Sequence, residues 1–172
     1  WEAIGPDACT GHTMDDRAET VLVNLLRGAA ATGLGSLRPG PRHPIVGLRR
    51  TETRGLCRKL GLTPVEDPSN DDPRFVRNRV RHEVLPLLAD VAGRDLVPVL
   101  ARQADVLADE ADLLDSLATD LDPTDARALA VAPLPIARAA VRLWLRPAGD
   151  GQPPSAAAVE RVLAVARGES VA

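Results

Sequence analysis

Residues 11–28 read GHTMDDRAETVLVNLLRG. Ala18, Val21, Leu22 and Leu25 recur at helical spacing and Gly28 closes the run, which predicts an amphipathic helix over 16–27. Counted at about 100° per residue from His12, Asp16 falls at about 40° and Glu19 at about 340°. Their row continues into Val23 and Leu26, away from a wetter arc of Arg17, Thr20, Asn24 and Arg27. Carboxylates heading a row that turns apolar are partly desolvated, and such groups bind a cation or handle a proton. The same acids also fit a capping-box spacing and the positive end of a helix dipole. A metal site of His12, Asp16 and Glu19 is a third reading. Spacing alone leaves all three open.

The second dense stretch is EDPSNDDPRFVRNRVRH, residues 66–82. A helix is predicted from 75 to 88, bent or ended by Pro86, with Val76, Val80, Val84 and Leu87 on one face. Arg74, Arg77 and Arg81 run along its flank, while Arg79 and His82 point elsewhere. Arginines clustered at a helix start, beside free backbone N–H groups, suit a phosphate. The competing reading is a solvated basic helix paired with Glu66, Asp67, Asp71 and Asp72. Asn78 is a poor mid-helix residue, which implies that it bonds something specific.

Working outward, residues 1–12 read as a short extended piece and a turn, and 29–50 as a loop holding a possible strand at 43–48. Thr51 is expected to cap a helix that ends at Gly61, and 63–67 to form a brief strand. A long helical pattern covers 94–120, with Val99 and Leu100, Val106 and Leu107, then Leu113 and Leu114 at heptad spacing. Pro123 is expected to open a helix over 123–131, and another spans 135–146. Residues 147–154 read as a linker, and Ser155 caps a last helix that ends at Gly168. A boundary near 90 divides a mixed, motif-bearing segment, 1–90, from an acidic, all-helical one, 91–172.

Composition narrows the class. Only 2% of the 172 residues are aromatic and 45% are hydrophobic, so the core is aliphatic and favours helices. No apolar run reaches the roughly 18–20 residues of a membrane span, and residues 1–10, without a basic start or an apolar run, predict no signal peptide. Cys9 and Cys57 are too few for a disulfide framework, and no second Cys pair supports structural zinc. Net charge is −3, yet residues 27–82 carry twelve Lys and Arg against five Asp and Glu. Twenty of the twenty-one cations are Arg, whose planar fork suits phosphate. The chain does not start with Met and holds too few strands for a complete parallel sheet, which predicts missing sequence at the N-terminus.

Three stretches, taken in order, resemble one family, the tRNA(Ile)-lysidine synthases. These are bacterial cytoplasmic enzymes of the PP-loop ATP pyrophosphatase superfamily. Residues 11–28 look like the family's GHxxDDxxET…RG segment. HPIVGLRRTETRGLCRKLGL, 43–62, is similar to its strand-to-helix segment. EDPSNDDPRFVRNRVRHEVLPLL, 66–88, looks like its D-x-S-N…RN-x-x-R…V-x-P-x-L segment. Residues 91–172 look like its helical second region.

The resemblance implies an α/β fold: an incomplete PP-loop, Rossmann-like domain of the adenine-nucleotide hydrolase type, then an all-α domain, mostly helical as given. It implies that ATP adenylates C2 of the wobble cytidine of tRNA(Ile) and that L-lysine displaces AMP. Asp16, Glu19 and Arg77 are then catalytic, and His12, Asp15 and Asn78 bind substrate. Arg27, Arg74, Arg79 and Arg81 meet nucleic acid, with the 33–42 loop extending that surface. ATP brings Mg, and neither a resident metal nor a membrane is expected. The family's SGGxDS loop is absent from these residues, so negligible synthesis is expected from them alone. A non-catalytic RNA-binding remnant, a metal-dependent hydrolase using His12, Asp16 and Glu19, and another PP-loop enzyme are the alternatives. Absent cysteine pairs disfavour a metal-cluster thiolase, and the D-x-S-N and RN-x-x-R pair favours lysidine synthesis over an NAD or GMP synthetase.

Overall fold

Extended backbone at Thr13 leads into α1, Met14–Leu26, so the helix starts two residues before the predicted position. The computed structural model describes residues 8–65, 67–146 and 154–169. The chain divides into two units, Trp1–Asp109 and Glu110–Ala172, and the division falls within one long helix.

In the first unit, α1 is followed by the short α2, Ala31–Leu34, and by α3, Arg50–Lys59. Gly28 ends α1 with φ of 76°, a left-handed conformation that favours glycine. A 3₁₀ turn at Pro68–Asp71 precedes α4, Val76–Arg79, which runs through a π-helical turn, Val80–Val84, into α5, Leu85–Ala92. The core joins Leu22 and Val23 of α1 to Val80, with Val84, Leu85, Leu88 and Leu100 packed around them.

The predicted helix over 75–88 therefore exists but is longer and changes its turn. The Leu85 N–H donates to the Val80 carbonyl, five residues back. Pro86 has no N–H to offer the carbonyl four residues before it, and its ring would crowd that group; the wide turn removes the conflict. Pro86 sits in the first turn of α5 and does not end the helix. The extra residue in the π turn also rotates the face that follows it: Leu88 packs inside, whereas Leu87, expected there, is exposed; Val76, before the turn, is exposed as well.

Two further expectations are corrected in this unit. Arg17, placed on the wet arc, is only 5% exposed. Its Nε donates to the Leu37 carbonyl at 2.9 Å and its guanidinium pairs with Asp105. Leu25, placed on the apolar stripe, lies exposed. No β-strand occurs among the described residues, where 43–48 and 63–67 were read as strands. Over 43–48, His43 N–H bonds Gly40 O, Val46 N–H bonds His43 O and Leu48 N–H bonds Ile45 O; local turn bonds replace a ladder. One isolated bridge, Gly40 to His43, is present. Residues 63–65 and 67 carry no regular structure, and Glu66 and 1–7 lie outside the described residues. As described, the chain is mostly helical.

Helix α6, Val97–Ala118, is shorter than the predicted 94–120 and starts where Asp95 accepts the Val97 N–H at 2.9 Å. Ala101, Ala104 and Ala108 form a buried stripe on it. Gly35 lies directly on Ala108: a Cβ there would stand 2.8 Å from the Ala108 Cβ.

In the second unit, α7, Ala126–Val131, begins after Asp125, whose side chain accepts from Arg127 N and Ala128 N. Pro123 does not open it, because Asp122 and Thr124 close a turn first, with Thr124 N–H on Asp122 Oδ1 at 2.8 Å. Helix α8, Leu134–Trp144, packs with α9, Ala156–Ala166, through Leu129, Ala137, Val141, Val159 and Leu163. Ser155 caps α9 as expected, accepting from Ala158 N. The predicted linker lies outside the described residues except for Pro154. No helix among the described residues is long and apolar enough to cross a membrane.

Candidate active site

Glu19 is 0% exposed, the most deeply buried acid in the first unit's site. It is reached by three arginines from two stretches far from it in sequence. Oε1 accepts from Arg50 Nη2 at 2.9 Å and Arg81 Nε at 2.8 Å. Oε2 accepts from Arg77 Nε and Arg81 Nη2, both at 3.0 Å. Asp16, one helical turn earlier, shares two of these partners: Oδ1 accepts from Arg50 Nη2 at 3.0 Å and Arg77 Nη2 at 3.1 Å. Its other oxygen, Oδ2, accepts from the N–H and hydroxyl of Thr13, at 2.8 and 2.7 Å. The capping interaction thus runs from Asp16 back to Thr13, and Glu19 is not part of it.

Both acids are held ionised. Burial pushes the Asp16 carboxyl up, but the Thr13 hydrogen bonds and the charges of Arg50 and Arg77 outweigh it and leave it below its usual value. Burial likewise raises Glu19, and the bonds from Arg81 and Arg50 more than reverse it. The pairing to Glu19 in turn holds Arg81 above the usual arginine value. Two carboxylates among three guanidinium groups leave a local charge of about +1 at neutral pH. Buried charge is tolerated only when paired and hydrogen-bonded to this degree.

Two clefts meet at this cluster. One, of about 510 Å³, is lined by Asp16, Arg50, Arg54 and Arg81 with Asp67 and His82. The other, of about 220 Å³, is lined by Asp15, Glu19, Arg50 and Arg81 with apolar residues of α5 and α6. Arg50 and Arg81 stand in both walls.

The three motifs that converge here are matched by known families. A PP-loop domain family matches residues 7–88, and a TilS substrate binding domain family matches 125–170. The chain is 46% identical over 153 residues to the tRNA(Ile)-lysidine synthase of Nocardia farcinica, covering 83% of this chain and 48% of that protein. The chain belongs to the tRNA(Ile)-lysidine synthase family. Its similarity to the synthase of Rhodococcus opacus is 43% over 81% of this chain and 46% of that one, and to that of Mycobacterium bovis 41% over 80% and 47%. The chain spans about half the length of the curated relatives it matches.

The other predicted site residues of this family member take separate places. Asp15 accepts the Arg50 N–H at 2.7 Å and Arg49 Nε and Nη2 at 3.2 and 3.1 Å, so it caps α3 from outside that helix. Thr51, the predicted cap, lies inside α3. His12 precedes α1 and is not on its face. Its Nδ1 and that of His43 stand 2.7 and 2.6 Å from the Thr10 hydroxyl, so one ring accepts that proton and the other donates. Burial, together with the charges of His12 and Arg42, holds His43 below the usual histidine value. Asn78 bonds something specific, as its position implied: its amide donates to the carbonyls of Ser69 at 2.8 Å and Asp72 at 2.9 Å. Arg74, Arg79 and Arg27 stay out of the cluster and exposed. Arg74 pairs with Asp72 at 2.6 Å and Arg79 with Glu83 at 2.9 Å.

The hydrolase alternative loses its ligand set, because His12 stands at Thr10 while guanidinium groups fill both carboxylates. Among the described residues, no group of three or more His, Cys, Asp or Glu side chains is placed to hold a metal ion. Arg50 is the residue that sequence reasoning missed. Its signal was present: two arginines, Arg49 and Arg50, open a helix whose positive end disfavours cations.

Proposed function

We propose that the protein containing this chain ligates L-lysine to C2 of the wobble cytidine of tRNA(Ile) in the cytoplasm, converting ATP to AMP and diphosphate. The observation that carries this reading is the convergence of Asp16 and Glu19 with Arg50, Arg77 and Arg81 from the three family motifs. In the reaction, the C2 oxygen attacks the α-phosphate and diphosphate leaves. The lysine ε-amine then forms the new C–N bond at C2, and AMP departs with that oxygen. The depressed pKa values of Asp16 and Glu19 make them weak bases but persistent anions, suited to holding and aiming the cationic amino acid. Arg77, with Arg81 and Arg50, offsets the negative charge that develops on the leaving phosphate. Arg27, Arg74 and Arg79, outside the cluster, are assigned to the tRNA backbone. Mg would travel with the ATP phosphates. The α/β PP-loop domain would take in residues 1–90 and the helical domain 91–172.

The test is incorporation of labelled lysine into tRNA(Ile), with ATP, by the protein that carries this chain. Asp16→Asn and Arg77→Ala should each lower the rate roughly 100-fold or more, while circular dichroism shows the helices retained. Full rates in both folded variants would remove the assignment. The 172 residues alone contain no SGGxDS loop and should give negligible product.

A further inference from the structure

We propose that Arg50 is a latch: it occupies the cation site between Asp16 and Glu19 and is drawn off by a phosphate group, which opens that site to an ammonium ligand. The inference rests on the reading of Asp16 and Glu19 as a cation site. It adds an order of events, the anion first and the amine second.

The geometry singles out Arg50 among the three arginines. One nitrogen, Nη2, bridges the two acids, 3.0 Å from Asp16 Oδ1 and 2.9 Å from Glu19 Oε1. That is the position an ammonium would take to bond both. Arg77 spans the same acids with two different nitrogens, Nη2 and Nε, and Arg81 forks onto Glu19 at 2.8 and 3.0 Å, its Nη2 reaching Asp16 Oδ1 only at 3.6 Å. Each Glu19 oxygen already receives two donors, which fills its lone-pair capacity. An amine therefore cannot enter while all three arginines are seated.

Charge and connection decide which one leaves. Removing a single guanidinium takes the cluster from about +1 to neutral, and one ammonium restores it. Arg77 and Arg81 share one helical segment and would keep Glu19 paired. Arg50 comes from α3 and lines the 510 Å³ cleft, where Arg54, Arg81 and His82 stand together with the carboxylates Asp16, Asp67 and Asp71. A phosphate in that cleft offers Arg50 a bidentate partner of equal quality. The two ligands are then coupled: each is worth more when the other is bound.

Tripolyphosphate is the anion probe and L-lysine the cation probe, used on the protein that carries this chain. Nitrogen NMR follows the arginine Nε–H signals, with the Arg50 signal assigned from Arg50→Met. The latch predicts that tripolyphosphate shifts the Arg50 signal and raises lysine affinity at least 10-fold. In Arg50→Met, lysine affinity should be the same with and without the anion. The wild-type titration carries the test even if that variant does not fold. An unmoved Arg50 signal, or equal lysine affinity with and without the anion, overturns the latch while leaving lysine binding itself intact. If the anion frees Arg50 and methylammonium binds but lysine does not, the latch stands and the substrate reading fails.

Discussion

At the scale of residues, the site is a charge arrangement that depends on pH in one direction. Asp16 and Glu19 sit below their ordinary values of 3.8 and 4.5. A carboxyl depressed in the folded chain contributes its stability in full above the unfolded value and loses it as pH falls through the folded one. Stability should therefore hold from neutral pH down to about 5 and fall below about 4.5, as protons reach Glu19 and Asp16. Urea midpoints measured between about pH 7 and pH 3 check this. Glu19→Gln removes one titrating group and should flatten that acid limb; an unchanged limb would discard the assignment. The nearness of Asp16 to Glu19 was legible, since three residues on a helix share a face. The partners were not. Glu19 meets Arg50 across 31 positions and Arg81 across 62, and no helical period reports such distances. Arg17 was misread for the same reason: its burial depends on Asp105, 88 residues away.

At the scale of elements, two close approaches set where the site's walls stand. The Asp15 side chain on α1 caps α3 and so fixes where Arg50 begins. Gly35, after α2, lets that turn rest on Ala108 of α6. A methyl at Gly35 would meet Ala108 backbone at 2.9 Å as well as its Cβ at 2.8 Å. Backbone cannot swing aside, so Gly35→Ala should destabilise the first unit by about 1–3 kcal/mol. A urea midpoint unchanged from wild type would contradict the packing. Helix ends marked by Gly28, Asp125 and Ser155 are local chemistry, and the first and last were legible in the sequence. The π turn was not, because it answers a conflict at Pro86 that a fixed period of 3.6 residues does not contain. It moved Leu87 outward and Leu88 inward, a rotation that the face assignment could not anticipate. The expected strands failed differently: a strand needs a neighbour to pair with, and 43–48 closes on its own turns instead.

At the scale of the whole molecule, the basic stretch over 27–82 divides its arginines between two tasks. Arg50, Arg77 and Arg81 are committed to acids in the site. Arg74 and Arg79, 85% and 60% exposed, hold surface pairs that are worth little in water and are readily exchanged for phosphate. The proposed binding of tRNA should therefore weaken steeply with salt. Replacing Arg74 and Arg79 by Ala should lower the slope of log affinity against log salt by roughly 1 for each phosphate that an arginine no longer neutralises. Filter binding at several salt concentrations checks this, and an unaltered slope would move the RNA surface elsewhere. Arginine also has a chemical consequence in the proposed reaction. An adenylated cytidine accepts attack from any free amine nearby, including one on the protein. A guanidinium stays protonated and does not compete. The sole lysine, Lys59, closes α3 at the end opposite Arg50. In that proposed reaction, the arginines of the cleft would grip phosphates and acids without adding a free amine that could capture the activated base.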